Sequence, residues 1–263
     1  MEAPEGRVEV GGVTLGYSLT GSGPPVVLLH GWCGDRAFWR HQTASLSESY
    51  RVLSLDFRGH GDSDAPRGGY TLAQLAEDVV TATTALGDSP AAVVGHSMGG
   101  MVAQRLAIDH PNTVGALALV ATAAADPDDA LISARILEDS AVLDYREAFE
   151  RHSPRWFAAD ADPTVKEWAL SRMRSVPERV ALELVRDYRG LDFRAELPSI
   201  KAPTLVIGAN ADVSTRAERS DEIAAAILGA KLVLVEAAGH FVQLERPAEV
   251  NGALTEFLGS VDW

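Results

Sequence analysis

The chain is poor in cysteine, in basic charge and in long apolar runs. Cys33 is the only cysteine among 263 residues, which excludes an intrachain disulfide and a thiolate metal cluster. The formal net charge is −14, which disfavours a nucleic-acid partner or an anionic membrane surface. Because no apolar run approaches the length that crosses a bilayer, no membrane-spanning helix is predicted.

The overall composition is that of a globular protein. Hydrophobic residues make up 46% of the chain and charged residues 23%, and 263 residues are enough to bury a large core. The first five residues have neither the basic nor the apolar stretch of a signal peptide. We therefore expect a cytoplasmic protein. We also expect it to be a monomer or a homodimer.

The pentapeptide at positions 95–99, Gly-His-Ser-Met-Gly, is the most informative stretch. It lies between an apolar run at 91–94 and a segment, 98–110, whose apolar residues have helical spacing. A serine between a strand and a helix, with glycines two positions away on each side, is the pattern of a nucleophile elbow. Such a turn is too sharp for Cβ atoms at the glycine positions, and it exposes the hydroxyl of Ser97.

Strand and helix patterns alternate on both sides of this elbow, which predicts an open parallel α/β sheet. A hairpin is predicted over 8–17, further strands over 26–29, 51–55, 91–94, 116–120, 204–207 and 231–235, and helices over 37–46, 71–86, 98–110, 217–228 and 247–258. Thr71 and Gln74 form a capping-box pattern at one helix start.

Positions 126–196 lack strand patterns and carry helical ones interrupted by prolines. We interpret this stretch as a helical cap (lid) over the strand ends. The core then consists of residues 1–125 and 197–263. In open α/β sheets ligands bind outside the carboxyl ends of the strands, which is where Ser97 is predicted to lie.

A serine nucleophile needs a base to take its proton, and the base needs an orienting carboxylate. In this fold class the order along the chain is serine, acid, histidine. Of the three histidines after Ser97, only His240 follows a predicted strand by a short loop; the others are His110 and His152. His240 is therefore the predicted base.

The acid should lie just beyond the preceding strand, and Asp212 does. An Asx turn is the competing interpretation of Asp212. The alternative acid is Asp126, beyond the strand that ends near position 120. Asp221 falls within the next predicted helix, so we expect it at the surface.

The oxyanion hole needs two N–H donors. Met98 follows the nucleophile, and Trp32 lies in the loop after the strand at 26–29, so their amides are the predicted pair. His30 is expected to brace that loop by hydrogen bonding. His96 should point away from Ser97 Oγ.

Together these residues resemble the α/β-hydrolase superfamily, in its small lidded serine esterase/lactonase branch. The resemblance is carried by His30-Gly31, the segment from Asp56 to Ser63, the elbow, Asp212 and Gly239-His240. It covers essentially the whole chain and implies an eight-stranded, mostly parallel sheet flanked by helices, a helical cap after strand 6, and no cofactor or metal. Segments 34–39 and 70–72 are most similar to enol-lactonases and are also similar to methyl-ester carboxylesterases.

Three positions refine this resemblance. A serine rather than an aspartate at position 97 argues against a haloalkane dehalogenase. Cys33 stands where perhydrolase-like members tend to carry proline, which argues against a peroxidase-type activity. Arg216 stands where members often have proline, four residues after the predicted acid, so a different local loop is expected there.

Apolar side chains suited to line a substrate pocket are numerous. The candidates are Trp32, Tyr145, Phe149, Trp156, Phe157, Trp168, Met173 and Phe241. Those in the cap have helical spacing, so packing of the cap onto the core is the competing interpretation. An arginine from the cap, turned inward, would be needed to hold a substrate carboxylate.

The predicted function is hydrolysis of a carboxylic ester or lactone through an acyl-enzyme on Ser97. The small-molecule substrate is expected to have an apolar part. Three alternatives stay open: a C–C hydrolase acting on a β-diketone-like substrate, a biosynthetic cyclase or acyltransferase with the same triad, and a non-enzymatic ligand-binding protein with a vestigial triad.

Overall fold

A computed structural model of the chain describes residues 5–125 and 131–262. Its centre is an eight-stranded sheet with the strand order β1-β2-β4-β3-β5-β6-β7-β8. The strands are β1 (Glu5–Val10), β2 (Val13–Thr20), β3 (Pro25–Leu29), β4 (Arg51–Leu55), β5 (Ala91–His96), β6 (Val114–Val120), β7 (Thr204–Ala209) and β8 (Lys231–Val235). β2 pairs antiparallel with β1 and with β4, and all other pairs are parallel. The predicted fold class is confirmed.

Helices connect the strands and flank the sheet. They are α1 (Arg40–Leu46), α2 (Leu72–Leu86), α3 (Met98–Asp109), α4 (Ile132–Asp139), α5 (Tyr145–His152), α6 (Pro163–Met173), α7 (Glu178–Tyr188), α8 (Ala217–Ala226), α9 (Val242–Glu245) and α10 (Pro247–Ser260). None of the helices in the described ranges is long and apolar enough to cross a bilayer.

The central strands are apolar at nearly every position because helices cover both faces of the sheet. β3, β5, β6 and β7 are buried along almost their whole length, and two separate apolar clusters form the core, one on each face. The edge strand β8 differs, with Leu232 and Leu234 exposed at its surface. Because its central strands are packed on both faces, the sheet positions the loops that follow these strands.

The predicted cap corresponds to α4–α7, which lie between β6 and β7. We call the described part of this segment, residues 131–196, the cap. The amphipathic helix α7 buries Val180, Leu184 and Val185. At the base of the cap, Phe193 N–H donates to the carbonyl of Ala124 at 2.8 Å. The boundary near position 126 lies outside the described residues, so the division into two domains stays a prediction.

Two local predictions need correction. The helix predicted over 37–46 begins as a 3₁₀ turn at Arg36–Trp39 and is α-helical only from Arg40. Only half of the capping box at α2 forms. Thr71 Oγ1 accepts the Gln74 N–H at 3.1 Å, but the Gln74 side chain donates to Asp78 Oδ1 instead of returning to Thr71. Asp78 lies one turn further along the helix, and a buried ion pair with an arginine holds its carboxylate within reach of the Gln74 side chain.

Candidate active site

The nucleophile elbow forms at the junction of β5 and α3. Ser97 adopts φ 52° and ψ −119°, a region that L-residues occupy only when the surrounding structure enforces it. A Cβ on Gly95 would collide with the backbone of Gly99, and a Cβ on Gly99 would collide with the carbonyl oxygen of Leu29. The two glycines thus let α3 pack against β3 while Ser97 stands above the sheet.

Backbone strain is concentrated at one edge of the sheet. Among the described residues, four non-glycine residues have positive φ angles: Cys33, Ser97, Ala121 and Ala237. They follow the carboxyl ends of β3, β5, β6 and β8, respectively. Strain of this kind collects at functional sites. The same edge therefore carries the elbow, the loop of Trp32 and the loop that leads to His240.

Three side chains from distant parts of the sequence meet at this edge. His240 Nε2 lies 2.8 Å from Ser97 Oγ, and His240 Nδ1 lies 2.8 Å from Asp212 Oδ2. Because an ionised carboxylate only accepts hydrogen bonds, Nδ1 carries the imidazole proton and Nε2 is left to accept the proton of Ser97. Asp212 and His240 are buried, whereas Ser97 is partly accessible.

The carboxylate of Asp212 is held on both oxygens. Oδ1 accepts the backbone N–H groups of Ser214 at 2.7 Å and Thr215 at 3.0 Å, while Oδ2 accepts the Thr215 hydroxyl at 2.6 Å. Burial acts to raise the pKa of Asp212, but the neighbouring His240 and these hydrogen bonds outweigh it and lower the pKa. The Asx turn and the triad contact therefore coexist, one on each oxygen. Thr215 was not predicted, although a hydroxyl three residues after the acid was a usable signal.

The loop of His240 is bound to the cap. His240 N–H donates to the carbonyl of Trp156 at 2.6 Å. Glu245 Oε2 accepts the N–H groups of Gly239 at 3.2 Å and Ala158 at 3.0 Å, so one carboxylate joins the loop to the cap. Burial raises the pKa of Glu245 above its ordinary value. Glu245 lies on α9, a helix of only four residues, which is too short to show a helical pattern in the sequence.

The other candidate acids and bases lie elsewhere. Asp126 is outside the described residues. Asp221 is exposed on α8. His110 contacts Glu77 at 2.8 Å, and His152 contacts an aspartate of the cap at 2.9 Å. Of the three histidines after the elbow, His240 is the one in contact with Ser97.

The loop after β3 passes directly beside the elbow. A Cβ on Gly31 would lie 2.8 Å from His96 Nδ1 and 3.3 Å from Ser97 Cβ, so only glycine fits there. Throughout residues 5–125 and 131–262, neither the Trp32 N–H nor the Met98 N–H finds an acceptor in the protein. Two free amides near Ser97 are what an oxyanion hole requires.

Cap residues also hold the Trp32 loop. The Trp32 indole N–H donates to the carbonyl of Ala181 on α7 at 2.8 Å. The buried Cys33 thiol is hydrogen-bonded to the hydroxyl of Tyr145 on α5, and burial raises the pKa of this thiol well above its ordinary value. Cys33 is therefore a neutral packing residue rather than a second nucleophile.

Two buried histidines support the site without contacting the serine hydroxyl. His30 Nε2 accepts the Phe57 N–H at 3.0 Å, while its Nδ1 donates to the carbonyl of Gly31 at 2.8 Å. His96 Nε2 donates to the carbonyl of His240 at 2.8 Å. Burial lowers the pKa of His30 to about 4 and that of His96 to about 3, so both are neutral at pH 7.

A cavity of about 20 Å³ lies against Ser97, which is room for about one water molecule. Its lining is mostly apolar, and it comprises Trp32, His96, Ser97, Met98, Met101, Leu131, Ser133, Trp156, Met173, Tyr188, Ser214, His240 and Phe241. Of the side chains predicted to contact substrate, Trp32, Trp156, Met173 and Phe241 are therefore among its walls.

The remaining aromatic candidates lie outside this lining and pack the cap onto the core. Tyr145 and Phe149 border a separate surface groove of about 430 Å³. Phe157 packs on Phe241 with ring centroids 5.0 Å apart. Trp168 contacts the ring of Phe38 and the guanidinium of an arginine on α1. Regular helical spacing could not distinguish these positions from those that face the cavity.

The cavity has no arginine in its described lining. Two arginines of the cap form ion pairs with carboxylates: Arg172 pairs with Asp35 and Arg174 with Glu150, each at 2.6 Å. In the described ranges no group of three or more histidine, cysteine, aspartate or glutamate side chains is placed to hold a metal ion.

Comparison with known proteins gives concordant results. A family model described as "Alpha/beta hydrolase family" matches residues 26–253. The crystal structure of a hydrolase from Pseudomonas aeruginosa superimposes with a TM-score of 0.88 at 33% identity, covering 97% of this chain and 98% of that one. The enol-lactonase from Burkholderia xenovorans gives 0.89 at 30% identity, covering 97% and 100%. The Klebsiella pneumoniae protein named "Putative carbamate hydrolase RutD" is 30% identical over 245 residues, 90% of this chain and 92% of that protein.

Proposed function

Because the chain belongs to the alpha/beta hydrolase family, we propose that it is a serine hydrolase in which Ser97, His240 and Asp212 form the catalytic triad. At the coarser level the chain is an ester-hydrolysing enzyme, as its family and its similarity to the enol-lactonase indicate. The observation that carries the finer proposal is the pair of 2.8 Å contacts that joins Ser97 Oγ to His240 and His240 to Asp212.

In the proposed reaction Ser97 Oγ attacks the ester carbonyl while His240 Nε2 takes its proton. Asp212 stabilises the imidazolium that forms. The carbonyl oxygen becomes an oxyanion and accepts hydrogen bonds from the free N–H groups of Trp32 and Met98, each of which is worth about 3 kcal/mol of barrier. His240 then protonates the departing alcohol.

The second half of the reaction releases the acid. Water enters beside His240, which removes a proton as the water oxygen attacks the acyl group on Ser97. Collapse of the tetrahedral intermediate returns the proton to Ser97. A lactone follows the same steps, except that the alcohol and the acid remain in one molecule.

The proposed substrate is a small, uncharged ester or lactone. Support comes from the apolar lining and from the lack of an arginine in the described walls. The cavity is small as it stands, so a substrate must displace side chains. Met98, Met101 and Met173 account for three of the four methionines of the chain and all face the cavity. Such flexible side chains adapt readily to different shapes. We also propose that the cap is a separate unit covering the site.

Replacement of the nucleophile tests the proposal. Ser97→Ala should lower kcat for short 4-nitrophenyl esters by about 10⁴-fold or more, because the remaining groups cannot form an acyl-enzyme. A fluorophosphonate should label the wild type and not the variant. Thermal unfolding and circular dichroism should stay unchanged.

Ser171→Ala is the matched control, since Ser171 is exposed on α6, away from the cavity. The control should keep both full turnover and labelling. Retained turnover in Ser97→Ala, or labelling of that variant at wild-type rate, would contradict the proposal.

A further inference from the structure

A pair of buried hydroxyl groups interrupts the apolar lining of the cavity. Tyr188 on α7 and Ser133 on α4 both face the cavity, and both are nearly inaccessible to solvent. The Tyr188 hydroxyl donates to Ser133 Oγ at 2.6 Å. Because the two helices are separate elements of the cap, this hydrogen bond fixes the orientation of the Ser133 hydroxyl in the cavity wall.

The direction of this hydrogen bond determines what Ser133 can offer a ligand. A serine hydroxyl has one proton to donate and two lone pairs. Ser133 Oγ accepts the Tyr188 proton, and no acceptor for its own proton exists in the described part of the chain. A buried donor without a partner costs free energy. A ligand atom that accepts this proton would recover that cost.

A second hydroxyl has a similar disposition. Ser214 Oγ accepts the N–H of Ile132, next to Ser133 in sequence, at 3.3 Å. Ser214 also lines the cavity, and its backbone N–H binds the carboxylate of Asp212. Hydroxyl protons are therefore offered near Ser97, while the rest of the lining away from the triad is apolar apart from the neutral His96.

From this arrangement we propose that Ser133, positioned by Tyr188, selects esters or lactones whose acyl part carries an uncharged hydrogen-bond acceptor, such as a keto or amide carbonyl. The proposal rests on the proposed function, since it concerns the same site. An acyl chain with a carboxylate is disfavoured, because no cation in the described lining would compensate its burial. A purely apolar acyl chain is accepted but leaves the Ser133 proton unsatisfied.

Three acyl groups of similar length separate these cases. The substrates are 4-nitrophenyl pentanoate, 4-nitrophenyl 4-oxopentanoate and the mono-4-nitrophenyl ester of glutarate, with each rate corrected for spontaneous hydrolysis. For the wild type, kcat/KM should be about 10-fold higher for the 4-oxo ester than for pentanoate, as expected for one buried hydrogen bond. The glutarate ester should be the poorest substrate.

The variants test whether Ser133 is responsible. In Ser133→Ala the ratio of kcat/KM for the 4-oxo ester to that for pentanoate should fall towards 1. Tyr188→Phe should lower the same ratio by a smaller factor, because Ser133 keeps its hydroxyl but loses its orientation; this variant also serves if Ser133→Ala fails to fold. Ser140→Ala is the control. Ser140 follows the end of α4 and lies outside the cavity lining, so the ratio should stay at the wild-type value.

The outcomes distinguish this inference from the proposed function. Turnover of pentanoate with a wild-type ratio near 1, or an unchanged ratio in Ser133→Ala, would overturn the role of Ser133 and leave the triad untouched. A best rate with the glutarate ester would overturn the uncharged substrate class. No turnover of any of the three esters would overturn the hydrolase proposal and this inference with it.

Discussion

The two sides of the cavity are built in different ways. On the core side, Ser97, Asp212 and His240 follow the ends of parallel strands, and hydrogen bonds within the core hold their side chains. On the cap side, Ser133 and Trp156 come from short helical segments that have no sheet beneath them. Under the proposed function, the core carries out the reaction and the cap selects the substrate.

The two sides meet at the loop of His240. The His240 N–H donates to the carbonyl of Trp156, and Glu245 bridges this loop to the cap. The ring of Phe241 also packs on those of Trp156 and Phe157. A change within the core should therefore lower the rate for every ester. A change within the cap should alter relative rates, and a change at the junction should do both.

The largest effect is expected from a change on the core side. Asp212→Asn should lower kcat by roughly 10³- to 10⁴-fold, since an amide N–H facing His240 Nδ1 favours the tautomer that cannot accept the serine proton. The loss should be similar for every ester tested. Steady-state kinetics on two or more esters would measure it.

Asp221→Asn makes the same chemical change at an exposed aspartate and should leave kcat unaltered. A loss of less than about 10-fold in Asp212→Asn would assign the role of acid to another carboxylate.

An intermediate effect is expected at the junction. A Cβ on Gly239 would lie 2.5 Å from Ala158 N and 2.6 Å from Trp156 O, so Gly239→Ala must push the cap and the loop of His240 apart. We expect kcat to fall by roughly 10- to 100-fold, because a small misplacement of a catalytic group is costly. The relative rates of different esters should change as well.

Gly252→Ala is the control, because the same replacement is expected to raise the stability of the protein at this position. Gly252 lies within α10 and has no atom within 4 Å of an added Cβ. This replacement should stabilise the protein by about 0.5–1 kcal/mol and leave kcat unchanged. Wild-type kinetics in Gly239→Ala would show that the cap does not position His240.

The smallest effect concerns the stability of the folded protein in acid, which we attribute to histidines buried in the core. Burial lowers the pKa of His60 to about 3, as it lowers those of His30 and His96. Below about pH 6.5 these histidines bind protons in the unfolded chain but stay neutral in the folded protein. The free energy of unfolding therefore falls as the pH drops towards 4. His60→Gln keeps an N–H donor for the carbonyl of Arg58 and removes one such group.

Urea unfolding of wild type and His60→Gln at pH 7 and pH 5.5 would measure this contribution. The variant should lose about 1 kcal/mol less than the wild type over that interval. An equal or larger loss in the variant would show that His60 is protonated in the folded state or that its burial has no effect on acid sensitivity.

The strands and the triad residues could be predicted from the sequence because a local residue pattern and the topology of a parallel sheet both specify them. The strands predicted over 26–29 and 204–207 lie within β3 and β7, because a strand that is buried on both faces must be a nearly continuous apolar run. The triad candidates followed from chain order, since parallel strands bring their carboxyl ends to one edge. Glu245 was missed because it belongs to no motif with its own local signature, whereas the hydroxyl of Thr215, three residues after the acid, was a local signal that went unused.

The sequence by itself determined the alternation of strands and helices, the strained turn at Ser97, and which side chains could act on it. The tertiary structure alone decided which cap residues face the cavity, that Ser133 and Tyr188 are hydrogen-bonded to each other, and that Glu245 joins the loop of His240 to the cap. The physical reason is that helical spacing specifies a buried face but not its neighbour. Which neighbour that face meets depends on how whole helices pack against one another.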